Sequence, residues 1–227
     1  YFGSNVKIIY GVRLFSGLEE SLTKKVWNPT GVPTIDKIIE ELDAHHQVKF
    51  IFLAKDSGSG FRSSWKKSQD LSFFIQGLTN KLTVLAGVDY FFFWLPRKLA
   101  ILFREIRQSL ILIITVMRFK PDIVYLDHAN TIVAALLSRF QKRIPIVYRV
   151  MGVYPFMRKS LTSKTLVDRV YRWAYYSPFS LVIITQDGSG VEFWLKKALK
   201  KNVSYKILLN GVDQISTHNS LNNQLKA

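Results

Sequence analysis

Short apolar runs alternate with helical patterns along this chain. The runs are Val6–Val12, Val48–Ala54, Lys81–Ala86, Asp122–Leu126, Ile144–Val150, Leu181–Thr185 and Val203–Leu209. They are rich in Val, Ile, Tyr and Phe, and several are apolar on both sides, as strands buried on both faces of a parallel sheet are. Between them lie amphipathic stretches. Ile35, Ile38, Ile39 and Leu42 repeat at i, i+3, i+4 and i+7 behind Pro33, a residue favoured early in a helix. Val133, Leu136, Leu137 and Phe140 repeat the pattern, as do Val191, Trp194, Leu195, Ala198 and Leu199, with Lys196, Lys197, Lys200 and Lys201 toward the wet side. The stretch from Leu99 to Phe119 is apolar over more than one stripe, so it is either deeply packed or in contact with something greasy. The segment between Val12 and Pro33 reads as a long loop, and the polar stretch from Gln214 as a linker-like tail.

This alternation predicts an α/β fold: a doubly wound, mostly parallel sheet with helices on both faces. Ligands of such sheets bind beyond the carboxyl ends of the strands. The residues that follow each strand are therefore the candidates for function.

Length and composition narrow the classes. A chain of 227 residues holds one large domain or at most two small ones, and 48% hydrophobic with 14% aromatic residues excludes disorder over most of it. With no cysteine there is no disulfide framework, thiolate metal site or thiol nucleophile. The apolar stretches around 84–103 and 109–117 are too interrupted or too short for the ~20 apolar residues of a spanning helix. The first ten residues lack the pattern of a secretory signal, and a cytoplasmic location is expected.

The formal net charge is +16, and the basic residues concentrate: Arg139 to Lys206 contains fourteen Lys or Arg against Asp168, Asp187 and Glu192. Such a field attracts polyanions, including an anionic membrane surface. The run Tyr90-Phe91-Phe92-Phe93-Trp94-Leu95 followed by Arg97 and Lys98 suits a peripheral contact at the inner face of a membrane, or equally the entry to an ordinary core element. No helix-turn-helix, zinc or RNP-like motif accompanies the charge, so nucleic acid is not an expected partner.

Five strand ends carry candidate chemistry. After the first crossover, Gly31 and Val32 precede a helix start, where backbone N–H groups can approach an anion. The pattern is not a dinucleotide fingerprint, which disfavours a dehydrogenase. The fourth crossover reads Lys120-Pro121-Asp122-Ile123-Val124-Tyr125-Leu126-Asp127-His128-Ala129-Asn130, leaving Asp127, His128 and Asn130 at the ligand edge. His128 can carry a proton or hydrogen-bond a sugar hydroxyl or phosphate. The alternative for Asp127 and Asn130 is helix capping. Arg149 and Gly152 end the next unit, and Gln186 with Asp187, then Asn210 with Gly211, end the last two.

In order and spacing, the runs "KPDIVYLDHA", "RIPIVYRVMG", "DRVYRWAYYSPFSLVIITQD" and "KILLNGVD" resemble glycosyltransferase family 4 over Asn5 to Asp213. The resemblance implies the N-terminal, acceptor-side Rossmann-like half (residues 1–213) of a GT-B enzyme, with 214–227 leading toward a donor-binding half beyond this sequence. The activity implied is retaining and metal-independent transfer from a nucleotide sugar, used as substrate with no cofactor, to a glycan or lipid-linked acceptor in cell-surface polysaccharide or glycolipid synthesis. This chain alone would then be inactive. Position at the strand ends points to a catalytic role for His128 and puts Asn130, Arg149 and Gly152 in the acceptor/donor cleft; the matched motifs imply the same cleft for Gly31, Val32, Asp127, Gln186, Asp187, Asn210 and Gly211, with no metal ligand. Met151 stands where the family has a histidine, and a thioether cannot donate to a hydroxyl. A non-catalytic sugar- or nucleotide-binding module of the same fold is the alternative.

Overall fold

The computed structural model describes residues 6–30, 33–55, 70–87, 94–186 and 190–209. It contains β1 (Lys7–Arg13), α1 (Ser16–Lys24), α2 (Pro33–His45), β2 (Gln47–Leu53), β3 (Leu71–Phe73), β4 (Leu82–Leu85) and α3 (Arg97–Phe119). These are followed by β5 (Ile123–Asp127), a 3-10 turn (His128–Asn130), α4 (Thr131–Phe140), β6 (Ile146–Val150), α5 (Pro155–Thr162), α6 (Leu166–Tyr175), β7 (Leu181–Gln186), α7 (Val191–Ala198) and β8 (Tyr205–Leu209).

The strands form one eight-stranded sheet in the order β3-β4-β2-β1-β5-β6-β7-β8. From β4 to β8 every adjacent pair is parallel, and β3 closes one edge antiparallel to β4. The chain builds outward from β1 to β2 and β4, then returns to the other side of β1 for β5. The topological switch point therefore lies between β1 and β5, where open α/β sheets bind ligands. The expected doubly wound α/β architecture is observed.

Two cores follow from the alternation of side chains across the strands. Ile9, Val124, Leu126, Tyr148, Val150 and Ile184 face α3 and α4 and the later helices, meeting Leu112, Val116, Val133, Leu137, Tyr175 and Trp194. Tyr10, Val12, Phe50, Phe52 and Val84 face α1 and α2, meeting Leu18, Leu22, Ile35 and Ile39.

The segment after β1 is not the loop expected from sequence: it holds α1. Leu18 and Leu22, one turn apart, are both fully buried. Gly17 lies inside this helix because a Cβ there would stand 1.4 Å from the carbonyl oxygen of Thr30. The returning chain passes directly over α1, and Thr30 N–H donates to the Gly17 carbonyl at 3.1 Å.

The Lys-Pro-Asp motif has a local explanation. Lys120 ends α3 in the left-handed region, at φ 49°, with its N–H on the Val116 carbonyl. Pro121 cannot continue the helix. Asp122 then ties the incoming strand to β1: its N–H donates to the Lys7 carbonyl at 2.8 Å, and its carboxylate accepts the Lys7 N–H at 2.8 Å.

Candidate functional site

The carboxyl ends of β1, β5 and β6 bring together Arg13, Asp127, His128 and Arg149, with Asp127 directly opposite Arg149 in the strand register. Asp127, Asn130 and Arg149 are buried, and His128 is half-buried.

Asp127 and Asn130 do not cap the following helices through their side chains. The Asp127 carboxylate instead accepts the backbone N–H of Arg13 at 2.9 Å and the Asn130 amide at 2.7 Å, and that amide also reaches the Gly11 carbonyl at 3.4 Å. The pair pins the ends of β1 and β5 together at the switch point. The helix expected near Ala129 begins as a 3-10 turn and becomes α-helical at Thr131, whose hydroxyl meets the Tyr148 hydroxyl at 2.7 Å.

With its neighbour thus occupied, Arg149 has no carboxylate partner among the described residues. It donates to the Tyr125 hydroxyl at 3.2 Å, while its Nε, though buried, finds no acceptor. Tyr125 stacks on Tyr10 with ring centroids 4.8 Å apart, and the Tyr10 hydroxyl is also buried without a partner. Burial pushes the Tyr10 and Tyr125 phenols above their ordinary range, so both are neutral donors at physiological pH.

His128 leads out of this cluster. Its ring lies 5.1 Å from that of Tyr154, and its Nδ1 is buried without a hydrogen-bond partner. Burial is the main cause that lowers its pKa below the usual 6.5; Arg13 and Arg149 push the same way, and Asp127 opposes them. The imidazole is therefore neutral at pH 7, able to donate from one nitrogen and accept at the other.

Beside it, Gly152 adopts φ 133°, a conformation that favours glycine, which accounts for glycine at this strand exit. Met151 is partly buried against the core under α1 and α2. Gln186 ends β7. Gly31, Val32, Asp187, Asn210 and Gly211 lie outside the described residues, as do residues 90–93 of the 90–98 run, of which Trp94 is described and 70% exposed.

A second cationic cluster at the same edge escaped the sequence reading. Lys55, just past β2, is buried and holds Glu105 of α3 at 2.8 Å, and Glu105 also meets Arg104 at 2.7 Å. Burial lowers the Lys55 pKa, against the pull of Glu105. Next to it the Gln108 amide donates at 3.1 Å to the carbonyls of Ala54 and Ala86, fixing the exits of β2 and β4. Nothing in the local sequence marks these pairs, since Lys55 and Glu105 are fifty residues apart. The Tyr10, Tyr125 and Arg149 grouping was similarly invisible until the strand register aligned Tyr10 with Tyr125.

An open groove of about 450 Å³ lies elsewhere, between α6 and α7, lined by Arg169, Arg172, Trp173, Tyr176, Lys197 and Ala198. Its lining comes from the helical layer and includes none of the strand-end residues named above. Among the described residues no group of His, Asp and Glu is placed to hold a metal ion.

Strand order, parallel pairing and a polar cluster at the switch point define a Rossmann-like, doubly wound α/β domain. No protein-family model and no curated protein matches the chain. Among solved structures it is similar to the Glycyrrhiza uralensis protein UGT73P12, whose structure was determined with glycyrrhetinic acid 3-O-monoglucuronide. The TM-score is 0.43 at 8% identity, over 89% of this chain and 48% of that one. The chain thus spans about half the length of that protein.

Proposed function

We propose that this chain is the acceptor-side half of a glycosyltransferase that moves a sugar from a nucleotide-sugar donor to a glycan or lipid-linked acceptor. The four ordered motifs motivate the class. The observation that carries the reading is a neutral His128, with an unpartnered Nδ1, beside a buried Arg149 that lacks a carboxylate partner, both at the switch point of the sheet. In this reading His128 hydrogen-bonds a sugar hydroxyl. Arg149 and the Tyr125 and Tyr10 hydroxyls offer an oxygen-rich, proton-donating wall suited to a saccharide or a phosphate. Asp127 and Asn130 are positioning residues that hold β1 and β5 at the spacing the cleft needs. The reaction proceeds with retention and without a metal, as the family-4 resemblance implies, in polysaccharide or glycolipid synthesis. The donor-binding half comes from outside this sequence.

The test is His128→Ala in a protein joining this chain to its donor-binding half. Turnover should fall at least about tenfold, equivalent to ~1.4 kcal/mol of barrier, with the melting temperature nearly unchanged. Loss of folding without a specific loss of turnover would assign His128 to structure alone. Calorimetric titration of the isolated chain with UDP-, GDP- and ADP-sugars should show at best weak binding and no turnover. Micromolar affinity for any of them would instead favour a self-sufficient nucleotide-binding module.

A further inference from the structure

The helix that sequence left undecided between deep packing and a greasy partner has both kinds of face. Ala100, Arg104, Gln108, Leu112 and Val116, spaced four apart on α3, are buried. About half a turn round, Leu99, Leu102, Ile106, Leu110, Ile114 and Met117 are 45–60% exposed among the described residues. At 1.5 Å per residue this outer stripe runs about 27 Å. No charged side chain interrupts it between Leu99 and Met117, because Arg104 is buried, and Glu105 and Arg107 pair with Lys55 and Asp70. Monomeric soluble domains seldom leave such a continuous apolar surface to water.

The neighbouring surface repeats the theme. The next helix, α4, is largely buried between α3 and α6. Beyond it, α6 exposes Leu166, Val167, Val170 and Trp173, with Arg169 on the same outward side. Trp94, 70% exposed, precedes α3, and the exposed Arg118 ends its stripe. Tryptophans and arginines around an aliphatic stripe suit the boundary between headgroups and acyl chains.

Charge selects the occupant. A second copy of this chain would bring another +16 against the first, a long-range repulsion that apolar contact would have to overcome. An anionic surface gains from the same charge. We infer that the outer face of α3 and α6 docks on an anionic lipid bilayer, with α3 lying parallel to the membrane and Leu102, Ile106, Leu110 and Ile114 at the base of the headgroups. No helix of the described residues is long and apolar enough to cross a membrane, so the contact is peripheral. The inference uses no residue of the switch-point cluster and stands or falls apart from the transferase reading.

Vesicle flotation of the chain tests it. Phosphatidylcholine vesicles containing phosphatidylglycerol should carry the protein, and phosphatidylcholine alone should carry much less. Ile106→Asp with Leu110→Asp should lower partition at least about tenfold, since two apolar side chains that would leave water on binding are replaced by carboxylates. Leu102→Gln with Ile114→Gln gives the same readout should the charged pair melt early; all four side chains are exposed, so folding should persist. Arg118→Gln and Arg169→Gln should each weaken binding about fivefold. Failure to bind anionic vesicles, or binding untouched by both apolar pairs, overturns the inference. A wild-type dimer in light scattering that Ile106→Asp/Leu110→Asp converts to monomer, with vesicle binding unchanged, also overturns it, in favour of a chain–chain interface.

Discussion

Two cationic clusters sit at the carboxyl edge of one sheet, and they are completed differently. At the end of β2, Lys55 and Arg104 share the carboxylate of Glu105, so positive charge taken out of water is answered from within the fold. At the ends of β5 and β6, Arg149 has a carboxylate opposite it in register, yet the two oxygens of Asp127 are taken by the Arg13 backbone and the Asn130 amide. Arg149 is left with a phenol, and His128 with a bare nitrogen. Buried polar groups are normally satisfied, and exceptions call for an explanation. The closed cluster is explained by stability. The open one, at the switch point, is what the proposed function would fill, since a bound saccharide or phosphate would bring the missing acceptors.

The largest expected effect comes from opening the closed cluster. Glu105→Gln takes from buried Lys55 the carboxylate that holds it at 2.8 Å, and breaking a buried pair in this way costs about 3–5 kcal/mol. Urea unfolding should show it as a lower midpoint with an unchanged slope. Stability nearly equal to wild type would mean that the two clusters do not differ as described.

The open cluster should respond in the opposite sense. Arg149→Met removes a guanidinium whose described hydrogen bond is to a phenol, so stability should change by less than about 1.5 kcal/mol. In the proposed transferase, joined to a donor-binding half, turnover should fall at least about tenfold, or ~1.4 kcal/mol of barrier. A large stability loss with normal turnover would reassign Arg149 to the closed type.

A smaller effect lies at the fringe of the open cluster. Asp36, in the first turn of α2, is buried with one carboxylate oxygen unpartnered, and burial, then Glu40, raises its pKa to about 6. Its folded value exceeds its unfolded one, so the ionised carboxylate costs stability above pH 6, and that cost fades as pH falls toward 4. Asp36→Asn should therefore raise the melting temperature at pH 7.5 and lose that advantage by pH 4, with solvent screening keeping the gain near or below about 1 kcal/mol.

Least of all, His128 should tilt the acid side of the stability profile. Its folded pKa lies below the unfolded value of 6.5, so the unfolded chain takes the proton first. Stability is lost as pH falls below about 6.5 toward the lowered value. His128→Ala should flatten this limb in thermal melts between pH 7 and pH 5. An unchanged limb would mean that the ring is not held neutral by burial.

The strands were legible because each carries its own signal. Val, Ile, Phe and Tyr runs placed seven strands within two residues at either end, and the Ile35–Leu42 and Val133–Phe140 periodicities located α2 and α4. The edge strand β3, three residues long, offers too little pattern to read. Two further helices carried signals that were available: Pro155 opens α5, and Thr165, three residues before Asp168, caps α6 by accepting the Asp168 N–H. The candidate site was half legible. Its strand-end residues could be named from position, but not which of them were already partnered.

Sequence by itself determined the fold class, the strands, the candidate edge and the basic charge, because hydrophobic period and composition act locally or additively. Tertiary structure alone decided the rest. A glycine inside α1 lowers the local helical signal, yet Gly17 is required by a carbonyl that arrives from Thr30. The outward stripe of α3 is more apolar than its inward one, which carries Arg104 and Gln108, and only the packing of α4 beside it shows which side is left to solvent. Lys55 meets Glu105 because a helix crosses the end of β2, whereas Arg149 meets Tyr125 because parallel strands set their register. Whether a buried charge is answered depends on neighbours distant in sequence, and that is why one cluster is closed and the other open.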